Sequence, residues 1–304
     1  FALVHNPRPR AQHRNSGCLM KVAVTGASGL TGSLVVRKLQ ERGHTPLAVV
    51  RSQDKADELC ASYANLDVAL ADVTGPDARA SLETALGGAD ALIICTSAKP
   101  KLDFWSLPGV IFGKMMGNKD AKPRFSFPAG AAPRDVDYEG TRVQIAAAKA
   151  AGVSHVVLLS SMAGTLPEHF LNVSMDKIVL WKRRAEMELI ASGLEYTVIH
   201  PGGLLPHYGQ KEPAPGGQRA LVVGVDDALM ERDAAGRVIP REDVAALCVL
   251  ALDTPEARGR SFDVVSSPPG EGAAFSGDMA ALLSSLSGEN CDYSKPANLE
   301  ELLG

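Results

Sequence analysis

The residues best suited to chemistry by type and spacing lie in Val22-Ala-Val-Thr-Gly-Ala-Ser-Gly-Leu-Thr-Gly32, where a short β-branched run meets three glycines and then an amphipathic stretch. That order predicts a strand, a phosphate-cradling loop and a helix. Gly26 is expected to permit the tight turn off the strand, Gly29 the close approach of a pyrophosphate, and Gly32 close packing of the next helix on the sheet. The unpaired amides that open this helix favour negative charge, with the helix dipole behind them. Thr25, Gly26, Ser28, Gly29, Leu30, Thr31 and Gly32 are therefore candidate dinucleotide contacts.

Three further strand ends bear on the same ligand. In NAD-preferring folds a carboxylate closes the second strand and accepts hydrogen bonds from the ribose hydroxyls. Here Val49-Val50 is followed by Arg51-Ser52. A guanidinium suits a 2′-phosphate, so Arg51 predicts NADPH in preference to NADH, unless it is merely solvated. Asp72, closing the third strand, is placed to reach the adenine. Thr96, Ser97 and Ala98, closing the fourth, are placed to line the pyrophosphate and ribose side.

These residues need a scaffold, and the apolar pattern supplies one. Short β-branched runs at 21–25, 46–50, 67–71, 91–95, 155–160, 196–200 and 261–265 alternate with helical periodicity at 31–42, 56–61, 78–86, 136–151, 176–191 and 241–252. Repeated βαβ units with right-handed crossovers predict an α/β fold, a doubly wound parallel (Rossmann) sheet with its ligand crevice at the strand C-termini. The organisation expected is one such domain over 21–267, with a C-terminal helix (275–286) and tail over 268–304. Two irregular insertions, 99–134 and 201–219, follow strand C-termini on the ligand side. The first carries Phe104, Trp105, Phe112, Phe125 and Phe127 among Lys101, Lys114, Lys119, Lys122 and Arg124. It reads as a substrate lid or as a loop packed by its own side chains.

Composition narrows the class of function. With 304 residues, 45% hydrophobic and 22% charged, the chain is an ordinary globular protein. A formal net charge of −4 argues against a general nucleic-acid or membrane-surface binder. No apolar run approaches the roughly 20 residues of a membrane span. Cys18, Cys60, Cys95, Cys248 and Cys291 show no ligand spacing, which predicts neither a disulfide framework nor a metal motif. Cys95 reads as a small buried hydrophobe. Residues 1–20 bear Arg8, Arg10 and Arg14 and no acid, the composition of an organellar transit remnant or of a plain extension.

Taken with Asp137-Tyr-Glu-Gly140, Ala147-Ala-Lys-Ala-Ala-Gly-Val153, Val157-Leu-Leu-Ser-Ser-Met162, Trp181-Lys182-Arg-Arg-Ala-Glu186 and Pro201-Gly-Gly-Leu204, the loop, Val50-Arg-Ser52 and Asp72-Val73 give an ordered set. Over roughly residues 20–267 the chain resembles the atypical short-chain dehydrogenase/reductase superfamily. Within it, the likeness is to plant and algal NAD(P)-binding Rossmann proteins of the NmrA-like, NAD(P)H-binding type. The resemblance implies a chloroplast, or otherwise cytoplasmic, protein, and adds Val73, Ser160, Lys182, Pro201, Gly202 and Gly203 to the cofactor-binding set.

It also implies a test of chemistry. Such enzymes use a Ser, Tyr and Lys set, in which the tyrosine exchanges a proton with the substrate and the lysine lowers its pKa and holds the nicotinamide ribose. Ser161 fits the serine and Lys182 the lysine. One helical turn before Lys182 stands Ile178, which cannot donate a proton. Val143 stands where an asparagine is common in the preceding helix. His200, His207 and Tyr208 are substitute donors or structural residues. The expectation is an NADPH-dependent oxidoreductase of a small substrate, or a non-catalytic NADP(H)-binding protein that regulates a partner.

Overall fold

A computed structural model describes residues 19–117, 122–206 and 214–304. Cys18, Lys119, His207 and Tyr208 lie outside them. The central sheet is built from β1 (Lys21–Thr25), β2 (Thr45–Val50), β3 (Asp67–Leu70), β4 (Ala91–Ile94), β5 (His155–Leu159), β6 (Glu195–Pro201), β7 (Leu221–Gly224) and β8 (Arg260–Ser266). Their order is β7-β8-β6-β5-β4-β1-β2-β3, and only β7 runs antiparallel to its neighbour. The expected α/β doubly wound sheet is present. The chain turns back between β3 and β4, so the strand order reverses at β1 and β4, the place where such sheets open a ligand crevice.

Six helices carry the crossovers: α1 (Gly32–Glu41), α2 (Gln53–Ser62), α3 (Ala78–Ala85), α4 (Gly140–Ala151), α5 (Ile178–Ala191) and α6 (Arg241–Asp253). Period-2 alternation along β1 sends Val22 and Val24 to one face, against Val35, Val36 and Leu39 of α1 and Val244, Leu247 and Cys248 of α6. Ala23 points to the other, with Leu92, Leu82, Ile145 and Ala148. Two cores on opposite faces hold one sheet between them.

Several expectations are corrected. The 99–134 insertion is not irregular: Lys101–Leu102 pairs antiparallel with Phe125–Ser126 and encloses a helix, Leu107–Met115. In the second insertion Gly203–Leu205 pairs parallel with Val238–Pro240. The helix read as 136–151 begins as π-helix over Arg134–Glu139 and becomes α only at Gly140. Asp176 and Lys177 are left-handed, φ 51° and 58°, so α5 starts at Ile178. The 275–286 helix shortens to Met279–Ser284, and a further helix, Leu299–Leu303, packs on Leu180 of α5.

Candidate active site

The glycine loop closes on itself before it can meet any ligand. The Gly29 amide donates to the Gly26 carbonyl at 2.8 Å. Gly26 sits at φ +67°, and a Cβ there would stand 2.7 Å from the Cys95 carbonyl oxygen, just past the end of β4. A Cβ on Gly32 would collide with the Gly26 carbonyl, so that glycine packs helix on loop rather than helix on sheet. Thr31 makes no side-chain cap, and the first turn of α1 holds no acidic residue. The helix start is thus free of the groups that would compete with an anion. Buried Thr25 Oγ1, at the end of β1, has no hydrogen-bond partner among the described residues, which suits it to a polar ligand atom. These features fit a bound dinucleotide.

The neighbouring strand ends differ in how free they are. Arg51 is exposed and makes no ion pair among the described residues. The Thr25 to Val49 register sets it beside the loop. Asp72 is exposed, but its Oδ1 accepts from the Thr74 amide and hydroxyl at 3.0 and 2.9 Å, which builds a turn. Val73 packs over Gly140 at 3.1 Å from a built Cβ. Ser97 is exposed, and Thr96 accepts a 3.1 Å hydrogen bond from the buried Gln144 amide. An amide therefore does stand in this helix, one residue after Val143. Gly202 is tight for a packing reason: a Cβ would strike the Arg237 carbonyl and come within 2.8 Å of Val265. Exposed Gly203 opens the short strand that pairs with Val238.

Lys182 is committed to a partner the sequence did not single out. Its Nζ lies 2.6 Å from Oδ1 of Asp137, whose carboxylate is fully buried and whose Oδ2 accepts from the Ala98 amide at 3.1 Å. The π-helix, the end of β4 and α5 are joined by that contact. Tyr138 stacks on Trp181 beside it, ring centroids 5.7 Å apart. Burial of the Cys95 sulfur pushes its thiol up to about 12, against the nearby charge of Lys182, so it is unreactive. Ile178, first residue of α5, is buried among Ala98, Phe127 and Leu171. No phenol occupies the donor's place. The aromatics of the insertion divide: Phe127 packs on this cluster and Phe125 meets Phe170 edge-on, whereas Trp105 and Phe112 are exposed.

Ser160 and Ser161 part company. The Ser160 hydroxyl turns under α5 and donates to Glu186, while Ser161 is half-buried and donates to its neighbour's carbonyl at 3.1 Å. Glu186 Oε2 meets His200 Nε2 at 3.0 Å, and His200 Nδ1 meets Asp263 Oδ1 at 3.2 Å. Burial opposes charge throughout this group. Even so, Glu186 holds the His200 imidazole well above its ordinary value, with Asp263 assisting. Burial raises the Asp263 carboxyl, whereas His200 and Arg183 keep Glu186 below the usual range. His200 is therefore an enclosed cation-holder, not an exposed acid at the crevice. Its partners Glu186 and Asp263 were missed as site residues, although both strand positions, 200 and 263, point inward by alternation.

A strand-order reversal with a glycine loop closing β1 and an exposed arginine after β2 is the arrangement of a nicotinamide-binding Rossmann protein. The NAD(P)H-binding family matches residues 26–255, and the chain belongs to it. It is 40% identical to an uncharacterized chloroplastic protein of Arabidopsis thaliana over 83% of this chain and 71% of that one. It is 37% identical to sanguinarine reductase of Eschscholzia californica over 88% and 96%. The fold is shared with an oxidoreductase of Lactococcus lactis, TM-score 0.60 at 20% identity, covering 89% and 98%. Among the described residues no helix is long and apolar enough to cross a membrane.

Proposed function

We propose that the chain is an NADPH-dependent reductase of small acceptors that need no enzyme-held phenol, quinones and flavins among them. The observation that carries this reading is Ile178, an alkyl side chain one turn before Lys182 where a proton donor would stand. Bound at the glycine loop, the cofactor supplies a hydride. The loop amides and Arg51 hold its phosphates, and Lys182, kept in place by Asp137, orients the ribose. Ser161 orients the acceptor, and the final proton comes from water. The chloroplast is the proposed compartment, supported by the chloroplastic plant relative. The name of the Eschscholzia relative supports a reductase.

A second reading, a non-catalytic NADP(H)-binding regulator of a partner protein, is favoured by one observation: Lys182 is already neutralised by a buried carboxylate. Turnover separates the two. Purified protein with NADPH is expected to reduce quinones or flavins and to leave simple ketones and aldehydes unreduced. Ile178→Tyr is expected to gain weak carbonyl reduction, since general acid catalysis contributes about 10² to 10⁴ in rate. Efficient carbonyl reduction by the unaltered protein would overturn the proposal. Tight NADPH binding with no turnover of any acceptor would establish the regulator.

A further inference from the structure

His200 and Asp263 are register partners on adjacent parallel strands, so their side chains leave the sheet on the same face, beneath α5. Cys291 reaches them from the C-terminal segment, where its amide donates to Ser261 on the same strand as Asp263. All three are buried, with 3%, 1% and 5% of their surfaces exposed. The His200 Nδ1, one Asp263 oxygen and the Cys291 sulfur lie within 4.8 Å of one another.

The two spacings from His200 are those of ligands around one ion. Tetrahedral zinc, with its usual bond lengths, puts nitrogen and oxygen ligands roughly 3.3 Å apart and nitrogen and sulfur roughly 3.6 Å apart. Here Nδ1 stands 3.2 Å from Asp263 Oδ1 and 3.6 Å from Cys291 Sγ. The supporting contacts are also those of a metal centre. Glu186 accepts from Nε2 of His200, so a metal that displaces the Nδ1 proton now facing Asp263 meets a lone pair aimed at the other two ligands, and carboxylates commonly hold a ligating histidine in this way. Asp263 Oδ2 accepts from the Asp227 amide at 2.7 Å, so Oδ1, whose present partner is His200, is the oxygen turned toward the other two ligands.

The space and the charge agree. The cavity beside these groups, bounded by Ser161, Thr165 and Arg183, is about 10 Å³, room for roughly one water and too small for an organic substrate. Four acidic residues, Glu186, Asp226, Asp227 and Asp263, line it against the guanidinium of Arg183 and the imidazole of His200. We propose that His200, Asp263 and Cys291 form a three-ligand site for a divalent transition metal of the zinc type, with a water in the cavity as the fourth ligand. A mixed nitrogen, oxygen and sulfur set suits Zn²⁺ or Co²⁺ and is poor for Mg²⁺ or Ca²⁺.

The test uses the whole chain, stripped with a chelator and titrated with Zn²⁺ and, separately, Co²⁺. One equivalent of zinc is expected to survive gel filtration, and the cobalt form to show a thiolate-to-metal charge-transfer band. Cys291→Ser should abolish that band and most zinc retention, while Cys60→Ser, which removes an exposed thiol, should leave both intact. Glu186→Gln, which keeps the side chain's size, should weaken zinc about 10- to 100-fold. Failure of the unaltered protein to retain zinc, or equal retention by folded Cys291→Ser, would overturn the site. Because retention and absorption are read without turnover, the outcome is independent of the reductase assignment.

Discussion

The Gly26–Gly32 loop and the group around His200 serve one sheet, yet they are made of different material. The loop is backbone: one amide returning to one carbonyl, with glycines where a Cβ would collide. The His200 group is side chain, drawn from β5, α5, β6, β8 and the C-terminal segment. The first is local and excludes atoms. The second is non-local and balances charge in a dry interior. Each should therefore fail in its own way, the loop to an added methyl and the buried group to a removed charge.

The largest expected effect is in the buried group. Glu186→Ala leaves His200 and Arg183 facing each other without their shared carboxylate, and a broken buried pair costs about 3–5 kcal/mol. Urea unfolding of the metal-free protein measures this, and a loss under about 1 kcal/mol would mean that the charges are not enclosed as described. Next is acid sensitivity in the same half of the sheet. Burial, with Arg258, holds the His155 imidazole down at about 4. Below its ordinary 6.5 the unfolded chain takes up a proton that the folded chain refuses. Stability is thus full above about pH 6.5 and falls as pH drops toward 4, by up to about 3 kcal/mol from this residue. His155→Gln should flatten that part of the profile. An unchanged slope would locate the acid sensitivity elsewhere.

Smaller effects belong to the loop. Gly32→Ala should cost about 1–3 kcal/mol through overpacking against backbone that cannot step aside. Its NADPH affinity should fall as well, because relieving the clash moves the Gly26 turn. Normal affinity measured by calorimetry would show that the loop is looser than its packing implies. Least disruptive to the fold is Arg51→Glu. Exposed Arg51 supports nothing, so stability should shift by under about 0.5 kcal/mol. NADPH preference over NADH should drop by about 10- to 100-fold, as a charge-assisted pair becomes repulsion. Equal affinities in the unaltered protein would remove Arg51 from the site.

The same contrast governs what can be read from sequence. The alternation of apolar runs and helical periods locates seven of the strands in the main sheet, because each buries a face within its own few residues. Leu221–Gly224 escapes notice because pairing with β8 makes it a strand. The helix at Leu107–Met115 is masked by Pro108, Gly109 and Gly113, residues of poor helix propensity, so the stretch reads as irregular. The π-helix before α4 and the two left-handed residues before α5 leave no mark in a 3.6-residue pattern.

The glycine loop, Arg51 and the missing phenol at Ile178 were determined by sequence alone, since each depends on residue type within one strand, turn and helix. Only the tertiary structure decided that Lys182 is held by Asp137, that Gln144 reaches Thr96, and that Glu186, His200, Asp263 and Cys291 converge. Residues 186 and 291 are far apart in the chain. What joins them is strand order and register, and these follow from burying two faces of one sheet at once, a condition that no short stretch of sequence states by itself.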